Sequence, residues 1–176
     1  MLRARLGLRF GAASFALVLS LGFLVPAAAQ LAVGGRVPDI ETTLGELGAK
    51  VVEEEIRVAL AADALFDVDR HDLKRTAFPA LTKVGEVLNA YPNTAVVIEG
   101  HTEGMAAEAY NKALSERRAA SVRDWLVRNA KQPASRFTTR GLGKSRLIAS
   151  NSPAEGADKP EGRQKNSRVE IVFRKN

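Results

Sequence analysis

Residues 94–119 read TAVVIEGHTEGMAAEAYNKALSERRA, and this stretch decides the fold. Thr94 to Glu99 are apolar and β-branched, which fits a short central strand. Gly100-His101-Thr102-Glu103-Gly104 reads as a polar turn, and from about Glu108 a helix runs to Asn129. Leu114, Val122 and Leu126 form its apolar stripe, with Ala119 and Trp125 beside it, and Pro133 follows its end. A strand that opens through a polar turn into a helix is where α/β domains place ligands. Two charges there stand out. Glu103 is either an anionic contact for an ammonium group or a solvated acid near a helix N-terminus, where negative charge is favoured. Arg118 comes four residues after Leu114 and four before Val122, at the edge of the apolar stripe. A guanidinium so placed needs a partner, either an internal acid or a ligand carboxylate held bidentately. Asn111, about two turns earlier, can face the same groove.

Outward from this unit, alternation of Glu55, Arg57 and Ala59 with Ile56, Val58 and Leu60 predicts a half-buried strand. Residues 61–72 are turn-rich, with four aspartates. Phe78, Leu81, Val84 and Leu88 mark a helix ending near Ala90, and Pro79 fits its first turn if Thr76 is the N-cap. Phe137 to Gly141 and Arg168 to Phe173 read as strands, separated by a long polar loop over residues 143–165. The order predicts an α/β (α+β) sandwich: a mixed sheet of about four strands, helices packed on one face, in β-α-β-α-β-β order. Residues 51–176 are the domain. Residues 30–50, with four glycines and Pro38, read as a flexible arm carrying a short amphipathic turn at Ile40, Leu44 and Leu47.

Residues 1–29 carry Arg3, Arg5 and Arg9, an apolar run from Phe10 to Val25, Pro26, and an Ala27-Ala28-Ala29 cleavage pattern. This is the layout of a secretory signal peptide, too short in its apolar part for a spanning helix of about 20 residues. Its removal would halve the formal net charge from +6 to +3, so basicity alone argues little for nucleic acid. The C-terminal bases Arg163, Lys165, Arg168, Arg174 and Lys175 are interleaved with Glu155, Asp158, Glu161 and Glu170, with no aromatic rhythm for stacking bases. The absence of cysteine excludes disulfides, thiolate catalysis and Cys-ligated metals, and two histidines, His71 and His101, leave little for a metal site. No nucleophile elbow, P-loop or dinucleotide fingerprint is present, so a catalytic centre, a cofactor and a bound metal are not expected.

Five blocks then occur in order: Leu65-Phe66-Asp67-Val68-Asp69; Ile98 to Glu103; Tyr110-Asn111 with Leu114 to Ala119; Gly141 to Ser145; and Gly162-Arg163-Gln164-Lys165-Asn166-Ser167-Arg168-Val169-Glu170-Ile171. Together they closely resemble the OmpA-like C-terminal domain, which includes the peptidoglycan-associated lipoprotein and the flagellar stator B protein. The resemblance covers about Val51 to Phe173. It implies a periplasmic, outer-membrane-associated envelope module of a Gram-negative bacterium that holds peptidoglycan non-covalently, through the diaminopimelate of its stem peptide. On that basis Glu103 meets the ammonium and Arg118 the carboxylate, Asn111 orders the loop, Thr102 accompanies Glu103, and Phe66 and Asp67 border the pocket. The resemblance thus selects the ligand-binding alternative for Arg118. The family carries Asp where this chain has Glu103, and a glycine near Ala106 is displaced to Gly104, so a loop of altered shape is expected. An alternative is an OmpA-like scaffold whose pocket has drifted to a protein partner, with residues 30–50 as a further candidate contact for an envelope protein. Absence of cysteine separates the chain from the lipid-anchored members, and absence of an acid in residues 1–29 from the stator.

Overall fold

The computed structural model describes residues 39–103, 106–149 and 160–175, within a compact unit spanning Val37–Asn176. The leader expected over residues 1–29 lies outside the described residues, as do Gly104 and Met105. Five strands form one sheet: β1 (Lys50–Val52), β2 (Glu55–Ala61), β3 (Val96–His101), β4 (Phe137–Gly143) and β5 (Arg168–Arg174), in the order β1-β2-β5-β3-β4. All neighbours are antiparallel except β3 and β4, which run parallel. The mixed sheet expected from sequence is therefore present, with a short fifth strand at its edge. The helices are α1 (Ile40–Glu46), α2 (Ala62–Leu65), α3 (Phe78–Ala90), α4 (Glu108–Asn129) and α5 (Pro160–Asn166).

The register places side chains in cross-strand rows, because successive residues of a strand point to opposite faces. Ile56, Phe173 and Val96 form one core row; Val58, Ile171 and Ile98 form the next. These side chains are almost fully buried with Leu81, Val84 and Leu88 of α3 and Val122 and Leu126 of α4. Burying each such side chain contributes roughly 1.5–3 kcal/mol, so this face carries the stability of the domain. The alternate rows, Arg57–Val172–Val97 and Ala59–Glu170–Glu99, face away from the core.

α4 lies close to the sheet because two glycines let it. A Cβ on Gly100 would sit 2.0 Å from the Ser115 carbonyl oxygen, and one on Gly141 would sit 2.6 Å from the Lys112 carbonyl oxygen and the Glu116 nitrogen. Ser115 fixes the contact: its hydroxyl donates to the Lys112 carbonyl (2.8 Å) and accepts from the Gly143 N–H (3.0 Å). Asn111 and Arg118, four residues before and three after Ser115, consequently share its sheet-facing side at the end of β3.

Several local expectations change. α3 begins at Phe78 after a 3₁₀ turn over Arg75–Ala77, with Ala77 and not Thr76 at its N-cap and Pro79 still inside the first turn. Part of the stretch read as an arm is helix: α1 buries Leu44 against the core. The long polar loop contains α5, whose end is held by the Asn166 side chain, accepting from Ile148 and Ala149 N–H (2.7 and 3.1 Å) and donating to the Ala149 carbonyl (2.7 Å). His101, read as part of a polar turn, ends β3 and is 1% exposed.

Candidate functional site

A cavity of about 720 Å³ opens where α2, the end of β3, α4 and α5 meet, within the usual size range for small-ligand sites. Phe66, Asp67, Thr102, Glu103, Asn111 and Arg118, the six residues singled out from the sequence, all line it. They come from three separate segments that the fold brings together.

The first wall is the loop after α2. Phe66 is pinned by a bridge to Leu73, and the turn closes through Arg70 N–H to the Asp67 carbonyl (3.0 Å). Asp69 takes a left-handed conformation (φ 56°), which Asp tolerates better than most side chains. The carbonyls of Asp67 and Arg70 thereby point at α4. The Arg118 Nε donates to the Arg70 carbonyl (2.9 Å), its Nη2 approaches the Asp67 carbonyl (3.4 Å), and its guanidinium lies 5.1 Å from the centre of the Phe66 ring. Arg118 is 6% exposed, yet none of its contacts among the described residues is a carboxylate within salt-bridge range. Burial pushes its guanidinium pKa down, and Asp69, Tyr110 and Glu103 only partly oppose this from a distance. A buried cation anchored by neutral carbonyls and a ring face is ready for an anion.

The second wall is the end of β3. Thr102 N–H donates to the Gly143 carbonyl (3.0 Å), its side chain is buried, and its hydroxyl has no hydrogen-bond partner among the described residues. Glu103 follows, about half exposed, with Oε2 3.8 Å from the Arg163 Nε of α5. Asn111 is 4% exposed and its Nδ2 donates to the Ala106 carbonyl (2.7 Å), which braces the segment leading into α4. Arg163, Gln164, Asp63 and Asp69 also line the cavity and are not among the site residues expected from sequence. Gln164 donates to Asp63 (2.7 Å) and so joins α5 to α2. The signal available for α5 was the Gly162 to Ile171 block, read as a motif without a structural place.

A separate cluster sits on the outer face of the sheet. The donor atoms of Glu99, His101 and Glu170 lie within 4.8 Å of one another, a spacing a cation could use. Arg57, Arg140, Arg146 and Arg168 already surround the two carboxylates, so like-charge repulsion opposes a further cation and the cluster is an ion-pair network. Burial pushes the His101 pKa down to about 4, helped by the positive charge of Arg168, and leaves the ring neutral. Burial disfavours ionised Glu170, but hydrogen bonds from Arg168 and Arg57 outweigh it and hold its carboxyl below the usual range.

The domain is a mixed sheet with helices on one face and a charged cavity at a strand end. Residues 65–161, more than half of the chain, match the OmpA family. The chain is 35% identical over 129 residues to the outer-membrane lipoprotein YfiB of Pseudomonas aeruginosa, covering 73% of each protein. It is 38% identical over 123 residues to outer membrane porin F of the same species, covering 69% of this chain and 35% of the porin. Among solved structures, the cell wall anchor of the type VI secretion system (T6SS) of P. aeruginosa aligns at a TM-score of 0.65 and 26% identity, over 79% of this chain and 99% of that one. The chain belongs to the OmpA family. It spans only 15 to 56% of the first three curated relatives by their own length. Among the described residues no helix is long and apolar enough to cross a membrane.

Proposed function

We propose that this chain binds peptidoglycan non-covalently through the diaminopimelate of its stem peptide, in the periplasm, and so ties the wall to the envelope. The observation that carries the reading is Arg118: a buried guanidinium, oriented by two carbonyls and Phe66, facing a cavity it shares with Glu103. An amino-acid terminus presents an ammonium and a carboxylate on one carbon, and needs both signs held apart. Arg118 takes the carboxylate and Glu103 the ammonium, with Thr102 lining the same cavity. Asn111 holds the loop, and Phe66 and Asp67 form the facing wall. A relative named as a cell wall anchor supports the ligand class. Among the described residues of the site no nucleophile and base are assembled, and the role we propose is binding.

Titration calorimetry with stem peptides that carry either meso-diaminopimelate or lysine at the same internal position tests the recognition. Lysine lacks the carboxylate at the side-chain end, so it should bind at least tenfold more weakly, the size of one charge-assisted contact. Equal binding would contradict the role of Arg118.

The pairing of Glu103 with Arg163 favours a second reading, in which the acid is engaged internally and the surface serves a protein partner. A partner whose capture is insensitive to Arg118→Ala would support it.

A further inference from the structure

The outer face of the sheet is strongly basic. Lys50, Arg57, Arg140, Arg168 and Arg174 project from its strands, and Arg146 reaches it from the loop after β4, against Glu55, Glu99 and Glu170. Six cations oppose three acids, an excess of three positive charges, whereas the cavity lining carries five acids against two arginines.

The charges are also layered. Glu99 and Glu170 are buried, with side chains 6–7% exposed. Arg168 Nε donates to Glu170 (2.5 Å), and Arg57 bonds its other oxygen. Arg57, Arg146 and Arg140 stand 3.6, 3.5 and 3.9 Å from Glu99. Yet the Arg57, Arg140 and Arg146 side chains are 33, 56 and 60% exposed. The acids therefore lie underneath and hold the guanidiniums in place, while the guanidiniums face outward with N–H donors to spare.

Exposed apolar side chains accompany them. Leu147 and Ile148, next to Arg146, are 47 and 61% exposed, and Val52, on the same face two residues from Lys50, is 68% exposed. No Phe, Tyr or Trp sits in the outward rows of this face and the His101 ring is buried, so it lacks a stacking platform for nucleic acid bases.

We propose that this face docks on a bilayer surface rich in anionic phospholipid headgroups. Guanidiniums pair with phosphate oxygens in a bidentate fork. Apolar side chains beside them enter the boundary between headgroups and acyl chains. A face that spreads its cations over β1, β2, β4 and β5 suits an extended surface better than a small anion, which needs a cleft. The acidic cavity lies elsewhere and stays clear for the wall ligand.

The test is flotation of the full chain with phosphatidylcholine vesicles, with and without phosphatidylglycerol. Bound protein should rise with phosphatidylglycerol and fall with salt. Lys50→Gln/Arg174→Gln, two exposed residues outside the ion-pair network, should reduce the phosphatidylglycerol-dependent increment by at least tenfold, at about fivefold per surface cation. Leu147→Ser/Ile148→Ser should reduce it as well. The bases of residues 1–9 are common to all these proteins, so the difference between wild type and variants is the readout. An increment unchanged in both double variants overturns the proposal, and so does competition by soluble polyphosphate that leaves no preference for vesicles.

Discussion

The guanidinium of Arg118 lies 5.1 Å from the centre of the Phe66 ring and donates to the Arg70 carbonyl, with no carboxylate in salt-bridge range among the described residues. Its position costs desolvation that no anion within the fold repays at close range. Arg118→Met should therefore keep stability within about 1 kcal/mol of wild type, since an apolar chain removes that cost while the Arg70 carbonyl loses a donor. Urea unfolding checks this, and a loss above about 3 kcal/mol would show that the arginine is a structural keystone instead.

Asn111→Ala removes the hydrogen bond to the Ala106 carbonyl, which braces the segment between Glu103 and α4. The variant should lose about 1 kcal/mol of stability and bind wall fragments several-fold more weakly, because Glu103 is then less well positioned. Calorimetry on the folded variant separates the two effects.

Gly100→Ala tests the close approach of α4. The added methyl would meet the Ser115 carbonyl at 2.0 Å, a backbone atom that cannot turn aside. The helix must lift, and with it Asn111 and Arg118. A loss of about 3 kcal/mol or more is expected in urea unfolding, larger than for an exposed glycine such as Gly45.

The pH dependence follows from His101. Its folded pKa is pushed down to about 4 from 6.5, first by burial and then by Arg168, so the unfolded chain binds a proton in this interval that the folded chain does not. Stability should therefore fall as pH drops from 6.5 towards 4, by up to about 3 kcal/mol. Glu170, whose folded pKa is depressed, adds a further loss on more acidic descent as its carboxylate protonates. His101→Gln should flatten the slope in the upper interval. A slope retained in that variant assigns it to another group.

Legibility in the sequence followed the range of the interactions. α4 is read from 108 to 129 because its apolar stripe and the proline beyond it are local, and β2 because its alternation is. Glu103 and Arg118 were visible as charges at a strand end and a stripe edge. The partners that give Arg118 its meaning were not, since the carbonyls of Asp67 and Arg70 are 51 and 48 residues away in the chain. α5 lacks an apolar stripe, is seven residues long and is held by polar contacts of Asn166 and Gln164, so its composition reads as loop. The outer ion network joins Arg57 to Glu170 across 113 residues, and no periodicity announces such a pair.

The central claim, that Glu103 and Arg118 hold the wall peptide, is tested most directly by co-sedimentation with purified diaminopimelate-type sacculi. The wild-type chain should pellet with the sacculi, and Arg118→Ala and Glu103→Gln should each remain largely in the supernatant while folding normally by circular dichroism. Pelleting of both variants at the wild-type level, or no pelleting of the wild type, would contradict the account.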